Sequence, residues 1–310
     1  MLAAALIWFV FGLLLLALGG DAIVKACAGL AQRWGMSGFR AGLLLVAFAT
    51  SLPELAVNLR AFAIGQDELA LGNAVGSTIA NLGLTLGLAA LAAPLLVRAR
   101  LLAPLLVLLA IAGLGLVVFG LDGEVSRLEG GVLLLGFLAA LGFLYRAASR
   151  ESGPVREALA GFTTTRTGLA LNLLRLVVAL PLLYLGARWV VDAAGPIGAA
   201  LDWSPLLVGL LPVAIATALP EAAAAIAAAR RGHGDMVLGH VIGSSLFNLL
   251  VIIGGMAALR PLVLPASFVR LELPAAIAFT LALYPMLRGD LQVSRREGGI
   301  LLIAFAGWVA

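Results

Sequence analysis

Cysteine occurs once in this chain, at Cys27, so no internal disulfide and no cysteine-built metal cluster can form. Histidine occurs twice, at His233 and His240, too few for the imidazole-rich sites that suit zinc or copper. Charge is scarce: Asp, Glu, Lys and Arg make up 12% of 310 residues, about half the share of a soluble domain. What remains is aliphatic, with 63% hydrophobic residues and a mean hydropathy of +1.12. A net charge of +4 could suggest nucleic acid as a partner. The arginines, however, sit in short connections between apolar runs, where positive charge sets membrane orientation, so nucleic acid is set aside.

Apolar runs of membrane-spanning length recur along almost the whole chain, which predicts an all-α polytopic membrane protein. Residues 1–20 resemble the core of a signal peptide but lack a basic start and continue into a helical pattern, so they read as part of the first span. Ten spans are expected, at about 2–33, 38–64, 68–96, 101–120, 126–148, 168–201, 205–229, 235–259, 268–287 and 298–310. A polar linker at 149–167 divides them into two halves of five, 1–148 and 168–310. Arg33, Arg40, Arg98, Arg100, Arg146, Arg150, Arg156, Arg166, Arg230, Arg231, Arg288, Arg295 and Arg296 fall in alternate connections. The other connections hold Asp67, Glu68, Asp122, Glu124 and Asp202, with Arg127, Arg260 and Arg270 as basic exceptions. The positive-inside rule then makes the linker cytoplasmic and puts both termini outside. Five spans per half also invert the second half relative to the first.

One stretch is present twice. Residues 49–54 read ATSLPE and 72–81 read GNAVGSTIAN; residues 216–221 read ATALPE and 239–248 read GHVIGSSLFN. A single offset of 167 relates the copies, and 37–94 aligns on 204–261 without a gap at about 23 identities in 58. Each copy puts one carboxylate, Glu54 or Glu221, beside a proline within an apolar run. Such a group is costly in lipid and marks a functional site by default. Two related by an internal repeat suggest a transporter whose substrate lies between the halves. Pro53 and Pro220 cannot donate to the helix, so carbonyls around 47–50 and 214–217 are expected to be partly released, with helices broken in spans 2, 3, 7 and 8. Ser51 shares a helix face with Glu54, and Ser77 shares one with Asn81. Gly72, Gly76, Gly239 and Gly243 form small-xxx-small pairs expected to bring spans 3 and 8 together. Two acids, two carboxamides, hydroxyls and carbonyls make an all-oxygen set for a hard cation; Ca²⁺ takes six to eight oxygens at about 2.3–2.6 Å, and Na⁺ could use the same atoms.

The paired motifs TSLPE…GNAVGSTIAN and TALPE…GHVIGSSLFN resemble the two alpha-repeats of the sodium/calcium exchanger family, within the calcium/cation antiporter superfamily. In this chain those repeats occupy 42–87 and 209–254. The resemblance implies Ca²⁺/Na⁺ exchange by alternating access in a prokaryotic inner or plasma membrane, with spans 1 and 6 sliding against a fixed core. It implies ion ligands at Glu54, Glu221, Ser51, Ser77, Ser244, Asn81 and Asn248, with carbonyls at Ala47, Thr50, Ala214 and Thr217. No cofactor and no obligatory protein partner is expected beyond the ions and the bilayer. Three positions depart from the pattern: Ala218 replaces the hydroxyl of Ser51, His240 stands where the first copy has Asn73, and Asn248 stands where some relatives carry aspartate.

Plainer roles stay open for several of these residues. Ser77 and Ser244 could bond back to their own helix, Asn81 and Asn248 could join helices, and His240 could be a packed or capping residue. An imidazole near two carboxylates could instead be proton-linked, which keeps a proton-coupled Ca²⁺ antiporter as the alternative on the same fold. A cation channel would use the same oxygens without broken, inverted halves. No nucleophile–base pair or metal triad suggests an enzyme.

Overall fold

A computed structural model describes residues 2–34, 49–98, 102–148, 167–288 and 291–310. It holds ten helices: α1 Leu2–Arg33, α2 Leu52–Ala63, α3 Asp67–Ala92, α4 Leu102–Phe119 and α5 Arg127–Ala148, then α6 Leu169–Leu201, α7 Pro205–Arg230, α8 Gly234–Leu259, α9 Phe268–Leu287 and α10 Arg295–Val309. Eight are long and apolar enough to cross a membrane. The other two are the described 12 residues of α2 and the 15 of α10. The protein is an all-α polytopic membrane protein. Most of the linker, 149–166, lies outside the described residues, as do 35–48, which include the carbonyl of Ala47.

Four two-residue strands fix how the halves meet: β1 Leu95–Leu96, β2 Glu124–Val125, β3 Leu262–Val263 and β4 Gln292–Val293. The repeat offset of 167 carries β1 onto β3, yet β1 pairs with β4 and β2 with β3, both antiparallel. Each ladder therefore joins one half to the other. The two ladders flank α4, one before its start and one after its end. Helix starts are duplicated too. Ser126 and Glu129 exchange side-chain and backbone hydrogen bonds before α5, as Ser294 and Glu297 do before α10, each satisfying orphan donors of a first turn.

The expected breaks take particular forms. α2 is entered through a 3₁₀ turn at Ala49–Ser51, and Pro53 sits in the first helical turn, where its missing N–H costs little. Pro220 lies inside a helix that is continuous from Ala214 to Arg230. The irregularity comes from π-helical turns at Asn81–Thr85 in α3, Gly209–Val213 in α7 and Phe247–Ile253 in α8. A fourth, Phe268–Glu272 in α9, lies outside the repeated motif. Extra residues of this kind re-aim side chains and recur at functional sites.

The glycine stripe works differently from the sequence expectation. A Cβ on Gly72 would stand 2.3 Å from the carbonyl oxygen of Leu206, and one on Gly76 would stand 2.5 Å from that of Leu210. These glycines bring α3 onto the π turn of α7, across the two halves. A Cβ on Gly239 would meet only Leu102, at 3.8 Å. Helix faces record that a neighbour comes close, but not which neighbour. α1 and α6 form their own close pair: Gly12 and Gly186 each face the other's carbonyl oxygen, at 2.9 and 2.8 Å from the added Cβ.

Candidate cation-binding site

Between α1, the start of α2, α7 and α8 lies a cavity of about 340 Å³. Glu54 and Glu221, contributed by opposite halves, both line it together with Thr50, Thr217 and His240. The two carboxylates are within electrostatic reach of each other, and they are only 1% and 8% exposed. Among the described residues, Oε2 of Glu54 and both oxygens of Glu221 have no hydrogen-bond partner. Buried carboxylate charge without compensation costs several kcal/mol or more, so a positive species is needed here.

The rest of the repeated motif splits into two unequal half-sites. In one, Ser51 Oγ donates to Ser244 Oγ at 2.8 Å, and Asn81 Nδ2 donates to the same oxygen at 3.1 Å. Asn81 Oδ1 accepts from Thr85 at 3.4 Å, so both ends of this amide are bonded. The symmetry-related half has Ala218 in place of Ser51. There Ser77 turns back to Asn73 Oδ1 at 3.4 Å, and the buried amide of Asn248 has no partner on either atom. Where the first half-site has the hydroxyl of Ser51, this one has none, and its amide stays open among the described residues. Buried polar groups without a partner are rare in folded proteins.

Thr217 and Ala214 are tied locally: the Thr217 hydroxyl donates to the Ala214 carbonyl at 3.1 Å, occupying one lone pair of that oxygen. Thr50 Oγ1 lies 3.0 Å from His240 Nδ1, and His240 Nε2 lies 3.5 Å from Glu221 Oε2. The histidine is therefore neither a cap nor remote from the acids. Two neighbours were not among the expected ion ligands. Asn58 Nδ2 donates to the Glu54 carbonyl at 2.8 Å, and Asn73 is buried with Nδ2 unpartnered. A polar residue one turn from each motif position, inside an apolar run, was the available signal. Among the described residues no group of three His, Cys, Asp or Glu forms a metal cluster.

At the flank facing away from the cavity, Arg60 Nη2 of α2 stands 3.3 Å from Asp192 Oδ1 of α6, and Arg188 Nε stands 3.4 Å from Asp192 Oδ2. On α1 the repeat-related residues Asp21 and Lys25 pair at 2.6 Å, but the position equivalent to Arg60 is Ala227. Val57 is fully buried behind the arginine contact, while its counterpart Ala224 is exposed and lines the cavity.

Buried acids from the two halves, facing one cavity inside a helical membrane bundle, define a transporter of cations rather than an enzyme. Residues 4–146 and 171–310 match the family described as sodium/calcium exchanger protein, and the chain belongs to that family. It is 36% identical to the inner membrane protein YrbG of Escherichia coli strain K12, over 100% of this chain and 96% of that one. It is 28% identical to the sodium/calcium exchanger MaX1 of Methanosarcina acetivorans, over 96% of this chain and 95% of that one. The fold matches the sodium-calcium exchanger NCX_Mj, solved after soaking with 10 mM Na⁺ and zero Ca²⁺, with a TM-score of 0.69 and 29% identity. That match covers 99% of this chain and 98% of the other. The protein is an integral membrane cation antiporter.

Proposed function

We propose that this chain exchanges Ca²⁺ for Na⁺ by alternating access. The observation that carries the reading is the pair Glu54 and Glu221, buried at one cavity with three carboxylate oxygens unpartnered. A divalent cation compensates both charges at once, and the open oxygen of Asn248 adds a neutral ligand. Ser51, Ser77, Ser244 and Asn81, with carbonyls of Ala47, Thr50, Ala214 and Thr217, complete the proposed ion-binding set. An empty, doubly charged site resists crossing the membrane, so release of Ca²⁺ requires replacement by other cations, which is the requirement for exchange. The repeats are taken as 1–148 and 168–310, with 149–167 as a cytoplasmic linker and both termini outside. In that orientation the cavity opens inward, because Ala228 and Met236 line its end next to Arg230 and Arg231.

The test is ⁴⁵Ca²⁺ uptake into proteoliposomes preloaded with Na⁺ at equal pH, or with acid and no Na⁺. Uptake driven by the Na⁺ gradient is the expected result. Uptake only with the proton gradient would select the second reading, a proton-coupled antiporter, which the contact of His240 with Glu221 favours. Absence of uptake under both gradients would remove Ca²⁺ as the cargo.

Alternating access also requires the α2–α6 flank to open. Arg60→Gln, in a Cys27→Ala background, is expected to raise labelling of a Val57→Cys probe by an impermeant thiol reagent added outside. The increase should be at most about fivefold, because exposed ion pairs contribute only about 0.2–1 kcal/mol. Unchanged labelling would remove Arg60 from the gate.

A further inference from the structure

Ca²⁺ and Na⁺ bind through oxygen, yet a nitrogen base stands in the cavity. His240 Nε2 lies 3.5 Å from Glu221 Oε2, longer than a charge-assisted hydrogen bond of about 2.7–2.9 Å. Two donors that share one first-row dication, at about 2.1 Å each, stand roughly 3–3.4 Å apart. At 3.5 Å the ring nitrogen and the carboxylate oxygen stand just beyond the wide end of that range, close enough for one ion to join them after a small movement, and neither Glu221 oxygen has a hydrogen-bond partner among the described residues. On the far side of the ring, Thr50 Oγ1 contacts Nδ1 at 3.0 Å. An outer-shell contact of that kind fixes the tautomer and aims the other nitrogen of a ligating histidine. The repeat-related residue, Asn73, bonds Ser77 instead of a carboxylate, so the feature belongs to one half-site only.

We infer that His240 is itself a cation ligand, and that with Glu221 it makes this site accept Mn²⁺ as cargo alongside Ca²⁺. The inference rests on reading the cavity as the cation site. Mn²⁺ takes the carboxylate and carbonyl oxygens that suit Ca²⁺, and as a first-row transition ion it tolerates a nitrogen donor in that shell better than Ca²⁺ does. Zinc and copper would want more nitrogen or sulfur than one ring supplies. The effect is on choice among transported ions, with one nitrogen in an otherwise oxygen shell.

The test uses the purified full-length protein with Mn²⁺ alone, read by pulsed electron paramagnetic resonance. Wild type should show ¹⁴N modulation from a directly bound imidazole. His240→Asn and His240→Gln should lose that modulation and bind Mn²⁺ tenfold or more weakly, the lower end for a disturbed metal shell. In ⁴⁵Ca²⁺ uptake, the Mn²⁺ concentration giving half-inhibition should rise tenfold or more in His240→Asn, with less than a twofold change for Sr²⁺. Glu221-dependent Mn²⁺ binding without ¹⁴N modulation would overturn the inference and leave His240 as a hydrogen-bonding neighbour of the acid. Failure of Mn²⁺ to bind would overturn it equally, with Ca²⁺ exchange still decided by the gradient assay. A ¹⁴N signal in a protein without gradient-driven uptake would keep the ligand and discard the exchanger reading.

Discussion

Glu54→Gln and Glu221→Gln will each reduce gradient-driven Ca²⁺ uptake to the level of empty liposomes, while the protein stays folded. Glutamine keeps the volume and one acceptor oxygen but removes a full charge from a site almost closed to solvent. In low-dielectric surroundings that charge dominates the interaction with a divalent ion. It does not hold the fold together, since three of the four carboxylate oxygens make no hydrogen bond within the protein. Removing it should therefore leave basal thermal stability unchanged or raised. A ligand present at 100 times its Kd stabilises the folded state by about 2.7 kcal/mol. Wild type should show that increment with Ca²⁺ in a thermal-shift measurement, and both variants should lose it. Either variant retaining more than half of wild-type uptake would show that its carboxylate does not hold the ion.

Gly72→Val or Gly209→Val will prevent recovery of monodisperse protein, and even alanine at either position will lower the unfolding temperature. A Cβ on Gly72 would sit 2.3 Å from the Leu206 carbonyl, and one on Gly209 would sit 2.3 Å from the Leu69 carbonyl. The obstruction is reciprocal and is made of backbone, which cannot rotate aside as a side chain can. Overpacking of a close-packed interior costs about 1–3 kcal/mol, and more where nothing can yield. The contact lies at the start of the π turn of α7, about three turns before Glu221, so displacing α7 also moves the acid. Gly115→Ala, whose new Cβ meets nothing within 4 Å, is the control and should behave as wild type. Size-exclusion profiles and thermal unfolding of these variants in one detergent separate the outcomes. Normal folding of Gly72→Val would mean that α3 and α7 are not held at this distance.

The two buried acids that line the cavity were plain in the sequence, and the hydrogen bonds of the motif around them were not. Glu54 and Glu221 stand out because carboxylates in apolar runs are costly, a fact of composition that holds whatever the packing. Hydrogen-bond partners are another matter. Ser51 finds Ser244 across 193 residues, and Asn81 finds the same hydroxyl across 163. Repetition predicts two equal copies of such a network. The Ala218 change shows that a hydroxyl is missing, but only the packed structure shows Ser77 turning back to Asn73 and Asn248 left open.

By itself the sequence determined the membrane class, the duplication of the motif and its two carboxylates. Hydropathy runs, loop charge and a constant offset of 167 are properties of the chain that need no tertiary contact. The tertiary structure alone decided which helices the glycines bring together. It also decided which strands cross-link the halves and which of the matched polar groups remain unbonded. A helix face announces, every three or four residues, that something packs there. Its partner is chosen by how whole helices fit in space, and for Gly12, Gly72 and Gly76 that partner lies in the other half of the chain.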